Sequence, residues 1–285
     1  MNYTVDGVYS LDLQSVAKRI YYSLNYRSTF YKCLNEKYIG ELRNAGTPMI
    51  EVLKTKDASV NVRATKEISS ALTPSLQGYD SVKVDLTELP MDYSIRVPLV
   101  VSGSDITNAI QDAADLEDSA IAKKIDTYGY GKLAAASMDE FEWAPATSDD
   151  YIKLLNSLRA KLFNKDVTGE YRIGLGATEY ANYVSALTSV LKYETMQGRE
   201  GVDMGIIARA YGIDAFEIND NVLDGTIGYF FSPIAVVGDT FFSAFIQHNS
   251  PQGFPGYYVL EGNQMFGAEV VRPEAIVRLV EEVSA

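Results

Sequence analysis

The chain holds one histidine and one cysteine, His248 and Cys33, in 285 residues. Those counts exclude an intramolecular disulfide and any metal site built on paired histidines. A serine nucleophile needs a base beside it, and His248 is the only imidazole on offer. It stands in Gln247-His248-Asn249-Ser250-Pro251, which reads as a polar loop after a strand, and no Gly-x-Ser-x-Gly elbow accompanies it. Cys33, among Tyr31, Lys32 and Leu34, reads as a small buried packing residue. Acids occur in pairs at Asp139/Glu140, Asp149/Asp150 and Glu281/Glu282. A glycosidase would face two carboxyl groups across a cleft and raise the pKa of one; nothing here brings a pair face to face, and solvated helix starts account for them. Gly174-Leu175-Gly176 stands where a phosphate loop would, but it lacks the third glycine of a dinucleotide fingerprint and no Gly-Lys-Ser/Thr follows. A tight strand-to-helix turn is the plainer account. Tyr128-Gly129-Tyr130-Gly131-Lys132 reads as a glycine-rich helix end, and Pro251-Gln252-Gly253-Phe254-Pro255-Gly256 as a stiff contact loop. No catalytic, cofactor-binding or metal-binding residue is expected.

Composition narrows the classes further. Apolar residues make up 47% and charged residues 22%, as in an ordinary folded domain. No segment approaches the ~20 apolar residues of a membrane helix, and Met1-Asn2-Tyr3-Thr4-Val5-Asp6 lacks the basic start of a signal peptide. With 25 basic and 38 acidic residues the net charge is -13, which works against tight phosphate binding through the bulk surface. Tyrosine is abundant, 20 residues against 11 Phe and 1 Trp. Two accounts stay open: surfaces that become interfaces, or a core with many half-exposed aromatics.

The elements that must position these residues follow from periodicity. Val16, Ala17, Ile20 and Leu24 give a helical stripe in an aromatic N-terminal arm. From Thr47 to Leu99 the period drops to two: Met49–Leu53 is one apolar run, and Val60–Ala64, Val82–Leu86 and Tyr93–Val97 alternate as half-buried strands do. A polar loop tip at 66–80, containing Pro74 and Gly78, makes the whole a two-stranded excursion. Such a ribbon is marginal alone and needs a surface to lie on. A long helix is expected from Asp105 to Ala136, acids early and lysines late, with Ile106, Ile110, Ala113, Leu116, Ala120, Ile121, Ile125 and Tyr128 on one stripe; unbroken it spans about 48 Å. After Trp143-Ala144-Pro145, read as a boundary, comes a helix carrying Ile152, Leu155, Leu158 and Leu162. Then follow a strand at 171–175, a helix from Thr178, and strands near 204–207, 213–218, 226–231, 241–247, 257–260 and 267–271. The segment Ala275–Val283 reads as strand or helix.

This order, with Tyr171-Arg172-Ile173-Gly174-Leu175-Gly176-Ala177-Thr178-Glu179-Tyr180, Met204-Gly205-Ile206-Ile207-Ala208-Arg209-Ala210-Tyr211-Gly212-Ile213 and Phe266-Gly267-Ala268-Glu269-Val270-Val271-Arg272-Pro273-Glu274, resembles the major capsid protein of tailed bacteriophages, the Hong Kong 97-like fold. The resemblance implies an α+β chain. Its parts would be an N-terminal arm and helix (1–45), an extended β-hairpin loop (46–101), a spine helix with peripheral domain (102–147), an axial domain (148–263) and a return strand to the peripheral domain (264–285). It implies a structural, non-enzymatic subunit that self-assembles into pentamers and hexamers of an icosahedral shell around dsDNA, without specific DNA binding, cofactor or membrane. Scaffolding, portal and decoration proteins are the implied partners, the virion the location, and the host cytoplasm the place of assembly. Some relatives crosslink through Lys, Asn and Glu; no such trio matches here. A capsid's negative wall would let a packed genome slide, which fits the charge. Deleting 66–80 is expected to leave a folded subunit that assembles poorly. The alternatives are a cellular encapsulin-type nanocompartment shell, a soluble α/β enzyme using the Gly174 loop or an acid pair, and a tail or adhesin component.

Overall fold

The structure, a computed structural model, describes residues 27–39, 49–55, 79–98, 104–136, 138–190, 208–210, 212–249 and 257–281. The expected helical stripe at 16–24, the strands at 60–64 and 204–207, the tip at 66–78 and the Phe254 loop lie outside the described residues.

Among the described residues there are three helices and eleven strands, and the strands form three sheets. A 3-10 turn at Phe30–Cys33 is followed by hairpin strands β1 (Met49–Thr55) and β2 (Tyr79–Asp85). Their antiparallel register runs from Met49 opposite Asp85 to Thr55 opposite Tyr79, and among the described residues no third strand joins them. The expected ribbon to Leu99 is corrected here: β3 (Leu89–Pro98) leaves the hairpin and pairs with β10 (Tyr257–Val270), which pairs in turn with β9 (Val236–Asn249). The cause is local. The Asp85 carboxylate accepts hydrogen bonds from the Thr87 backbone N–H at 2.9 Å and its hydroxyl at 2.7 Å, an Asx turn that redirects the chain at 85–88.

Helix α1 (Ser104–Ala135) is 32 residues long and unbroken. Gly129 and Gly131 lie inside it, so the expected glycine-rich helix end is also corrected. Ile121 and Ile125 are buried as the stripe predicts; Ala120 faces outward and Ala122 is buried instead. Helix α2 (Ser148–Phe163) starts where Asp150 accepts hydrogen bonds from the Thr147 backbone N–H and hydroxyl, and it buries Tyr151, Leu155, Leu158 and Leu162. Helix α3 (Ala177–Val190) leaves strand β5 (Tyr171–Gly176) without a linker.

The six-stranded sheet runs β4-β11-β8-β5-β7-β6. Besides β5 it contains β4 (Asp139–Glu142), β6 (Ala208–Ala210), β7 (Ile213–Ile218), β8 (Gly228–Phe231) and β11 (Ile276–Val280). The open choice at 275–283 resolves as strand for 276–280, parallel to β4 and antiparallel to β8. The segment 264–285 therefore divides: its first part completes β10 and its last strand enters this sheet. Strands expected at 257–260 and 267–271 are one 14-residue strand, whose register shifts at Asn263/Gln264. Trp143, read as a boundary, is a buried anchor: its backbone N–H donates to the Val280 carbonyl at 2.8 Å and its indole to Glu179 at 2.8 Å. Of the tyrosines whose burial is described, Tyr31, Tyr130, Tyr151, Tyr171, Tyr180, Tyr183 and Tyr229 are buried, and Tyr257 alone is exposed. In the described residues tyrosine is chiefly core material.

Candidate functional site

The residues that could do chemistry are engaged elsewhere. Cys33 is fully buried, with its sulfur 3.9 Å from the Tyr130 hydroxyl. Desolvation pushes its thiol up to about 12, so it holds its proton and is unreactive. His248 belongs to β9, opposite Val259 of β10, rather than to a loop. Asp139, Glu140 and Asp150, from two of the three acid pairs, serve ion pairs. Asp139 meets Lys165 at 2.7 Å and Lys161 at 3.5 Å, Glu140 meets Arg278 at 3.5 Å, and Asp150 meets Lys153 at 2.8 Å. The candidate phosphate loop is closed by chemistry: the Asp220 carboxylate sits against Gly176, and the Thr178 hydroxyl donates to it at 3.2 Å. An anion already occupies the start of α3, which repels a phosphate there. Among the described residues no group of three or more His, Cys, Asp or Glu could hold a metal ion, and no helix is long and apolar enough to cross a membrane.

Two segments, the arm residues 27–39 and the β1–β2 hairpin, meet the body at one helix. The C-terminal half of α1 receives both. The Asp126 carboxylate accepts from the Ser28 hydroxyl at 2.6 Å, the Phe30 backbone N–H at 2.9 Å, and the Thr29 hydroxyl and N–H at 3.2 and 3.3 Å. Burial raises its pKa, and these donors pull against that rise. Phe30 lies on Gly129 so closely that a Cβ there would enter its ring. Around it the rings interlock: Phe30 edge-on to Tyr130 at 5.5 Å, and Phe266 touching Phe30, Tyr31 and Tyr128 at 6.2, 5.7 and 5.9 Å.

The hairpin is held one turn and a half further along α1. Lys132 reaches Glu88, just past β2, at 2.7 Å and Glu269 of β10 at 3.1 Å. The Tyr128 hydroxyl also donates to Glu88. Although desolvation opposes it, the two carboxylates hold the Lys132 ammonium above its ordinary pKa; desolvation and then Glu88 push the Tyr128 phenol up to about 12. Beneath the strands, Ile50, Val52, Val84 and Leu86 bury against Val237 and Val271 as a small separate core. Gly267 lets the chain cross β10 here, because a Cβ would meet the backbone of Asp85 and Leu86.

Sequence reasoning missed Asp126, Phe30, Glu88, Lys132 and Phe266. One signal was available: Asp126 stands among Ala122, Gly129, Tyr130 and Leu133 on one helical face, a carboxylate inside a buried stripe. Such a group needs donors from elsewhere in the chain.

No family model and no curated protein matches the sequence. Solved structures do. A structure of Mycobacterium phage Che8 aligns with 90% of this chain and 92% of its own at a TM-score of 0.59 and 17% identity. The capsid structure of the cyanophage P-SCSP1u aligns over 84% of both chains at 0.58 and 12% identity. The fold is that of a tailed-phage major capsid protein. A virus-like particle from Pyrococcus furiosus is also similar, at a TM-score of 0.53 and 12% identity over 93% of this chain and 98% of that one. In this fold the described strands of the hairpin form a sheet of their own, and the hairpin exit and the arm segment 28–30 share one stretch of α1.

Proposed function

We propose that this chain is a tailed-phage major capsid protein, a structural subunit of Hong Kong 97-like organisation. It assembles into pentamers and hexamers of an icosahedral shell that encloses dsDNA. The reading that goes with it divides the chain into an arm (1–45), an extended loop (46–101), a spine helix with peripheral domain (102–147), an axial domain (148–263) and a return strand (264–285). The virion is its location, the host cytoplasm its place of assembly, and scaffolding, portal and decoration proteins its partners.

The observation that carries this reading is agreement with the phage structures along nearly the whole chain. The isolated pair β1–β2 supports it physically. A two-stranded ribbon is marginal in water; here Ile50, Val52, Val84 and Leu86 at its root are packed on the body, and a neighbouring copy would complete it. The net charge of -13 supports enclosure of nucleic acid without gripping it. A non-catalytic role is supported by the engagement of the candidate acids in ion pairs and by the protonated, buried thiol.

Size-exclusion chromatography and negative-stain microscopy of the purified chain, alone and with its scaffolding protein, test the proposal. Closed shells of uniform diameter are expected. A compact monomer under every assembly condition, scaffold included, overturns it.

A further inference from the structure

The arm and the hairpin follow one another in sequence, and their roots meet on one stretch of one helix. Asp126 receives the arm and Lys132 receives the hairpin exit at Glu88, six residues apart, about 9 Å along the axis. Between the two clamps runs an unbroken line of contacts. The arm's Phe30 and Tyr31 pack on Phe266, Phe266 packs edge-on to Tyr128 with their planes at 88°, and the Tyr128 hydroxyl donates to Glu88. The Lys132 ammonium closes the line, lying 5.6 Å above the Tyr128 ring while it binds Glu88 and Glu269. Phe266 has no exposed surface, so it cannot shift for one projection without disturbing the other.

We propose that this node, Asp126–Phe30/Tyr31–Phe266–Tyr128–Glu88–Lys132, couples arm docking energetically to hairpin docking within a single subunit. Undocking either projection loosens the other. Each clamp is one charged group that holds several partners, so loss of one group releases its projection at once. Loss of the Asp126 carboxylate removes the acceptor of four arm hydrogen bonds together. Coupling of this kind must be reciprocal. It is a property of the subunit and stands or falls independently of what the chain assembles into.

The test reads both projections in the full-length protein. Cys33 is the only cysteine of the chain and is buried in the arm segment, so its labelling rate by a thiol reagent reports arm undocking. Amide hydrogen exchange of 49–55 and 79–85, followed by mass spectrometry, reports hairpin undocking. Lys132→Met, which touches only the hairpin clamp, is expected to speed Cys33 labelling about fivefold or more. Asp126→Ala, which touches only the arm clamp, is expected to speed exchange in the hairpin by the same factor. Leu158→Ala, a buried core position on a different helix, α2, controls for general loosening. Phe266→Leu is expected to remove the cross-effects while each clamp variant still loosens its own projection. The proposal is overturned if each variant affects only its own projection. It is equally overturned if Leu158→Ala, at matched loss of urea stability, speeds both readouts as much as the clamp variants do.

Discussion

Two glycines two residues apart on α1 show how much a single position depends on what lies above it. Gly129 is buried beneath the Phe30 ring, whereas Gly131 is exposed with nothing within 4 Å of a Cβ. Alanine in a helix interior gains about 1 kcal/mol over glycine from backbone entropy alone. At Gly131 that gain is unopposed, and Gly131→Ala is expected to raise stability by about 0.5–1 kcal/mol. At Gly129 the added methyl must displace a rigid aromatic ring packed against Tyr130 and Phe266, and overpacking of that kind costs about 1–3 kcal/mol. Gly129→Ala is therefore expected to lower stability despite its better propensity. Urea unfolding of both variants measures the two signs; stabilisation by both would show that Phe30 is not wedged on the helix. The sequence shows both glycines alike, because the partner that separates them stands about a hundred residues away.

Elements set off by local chemistry were legible, and elements defined by distant partners were not. The long helix α1 and the helix α2 carrying Leu155, Leu158 and Leu162 are written in neighbouring residues, and both are found where expected. The separation of β3 from the hairpin was not legible, since alternation in Asp92, Ser94 and Arg96 shows that a strand has a wet face but not which strand it pairs with. The continuity of β10 was hidden by Glu261-Gly262-Asn263-Gln264, a polar run that looks like a turn but carries a register shift inside one strand. The start of α2 also carries a pH dependence. The Lys153 ammonium and the Thr147 donors hold the Asp150 carboxyl at about 2, below its ordinary 3.8. Lys165 likewise holds Asp139 low, and Lys132 with Tyr128 holds Glu88 low. Groups with depressed folded-state values contribute stability that is present above their ordinary pKa and is lost as pH falls through the folded one. Asp126, raised by burial, acts with the opposite sign, its penalty being relieved on protonation. The three depressed carboxyls outnumber it, so the melting temperature is expected to fall between about pH 5 and pH 2. Asp150→Asn should show a shallower fall over the lower half of that range. Thr147→Ala, which removes a cap side chain, is expected to cost about 1 kcal/mol at neutral pH.

At the scale of the whole molecule, the six-stranded sheet and the two-stranded hairpin differ in how their edges are covered among the described residues. The six-stranded sheet is tied to the helices by its own side-chain hydrogen bonds: Lys161 donates to the Glu140 carbonyl of edge strand β4 at 2.8 Å, and Arg278 to the Ala134 carbonyl at the end of α1 at 2.6 Å. An edge strand guarded by a lysine is poorly disposed to recruit another chain. The hairpin differs, with both outer edges free of any strand among the described residues. Its register also places the truncation that separates folding from assembly. Thr55 and Tyr79 are the last paired residues described, so replacing 56–78 with a two-residue Asn-Gly turn closes the ribbon without altering its packed root. The deletion of 66–80 expected from the sequence would instead remove Tyr79 and Asp80 from β2. Ile50, Val52, Val84 and Leu86 stay buried in the shorter variant, so its unfolding midpoint in urea is expected to match that of the full chain. Its yield of shells by sedimentation and microscopy is expected to drop at least tenfold, the loss of a contact worth about 1.4 kcal/mol or more at each repeated interface. Normal shells from the shortened chain would mean that the ribbon is no intersubunit clamp. A shortened chain that fails to fold would mean that residues 56–78 complete the body and not a neighbour.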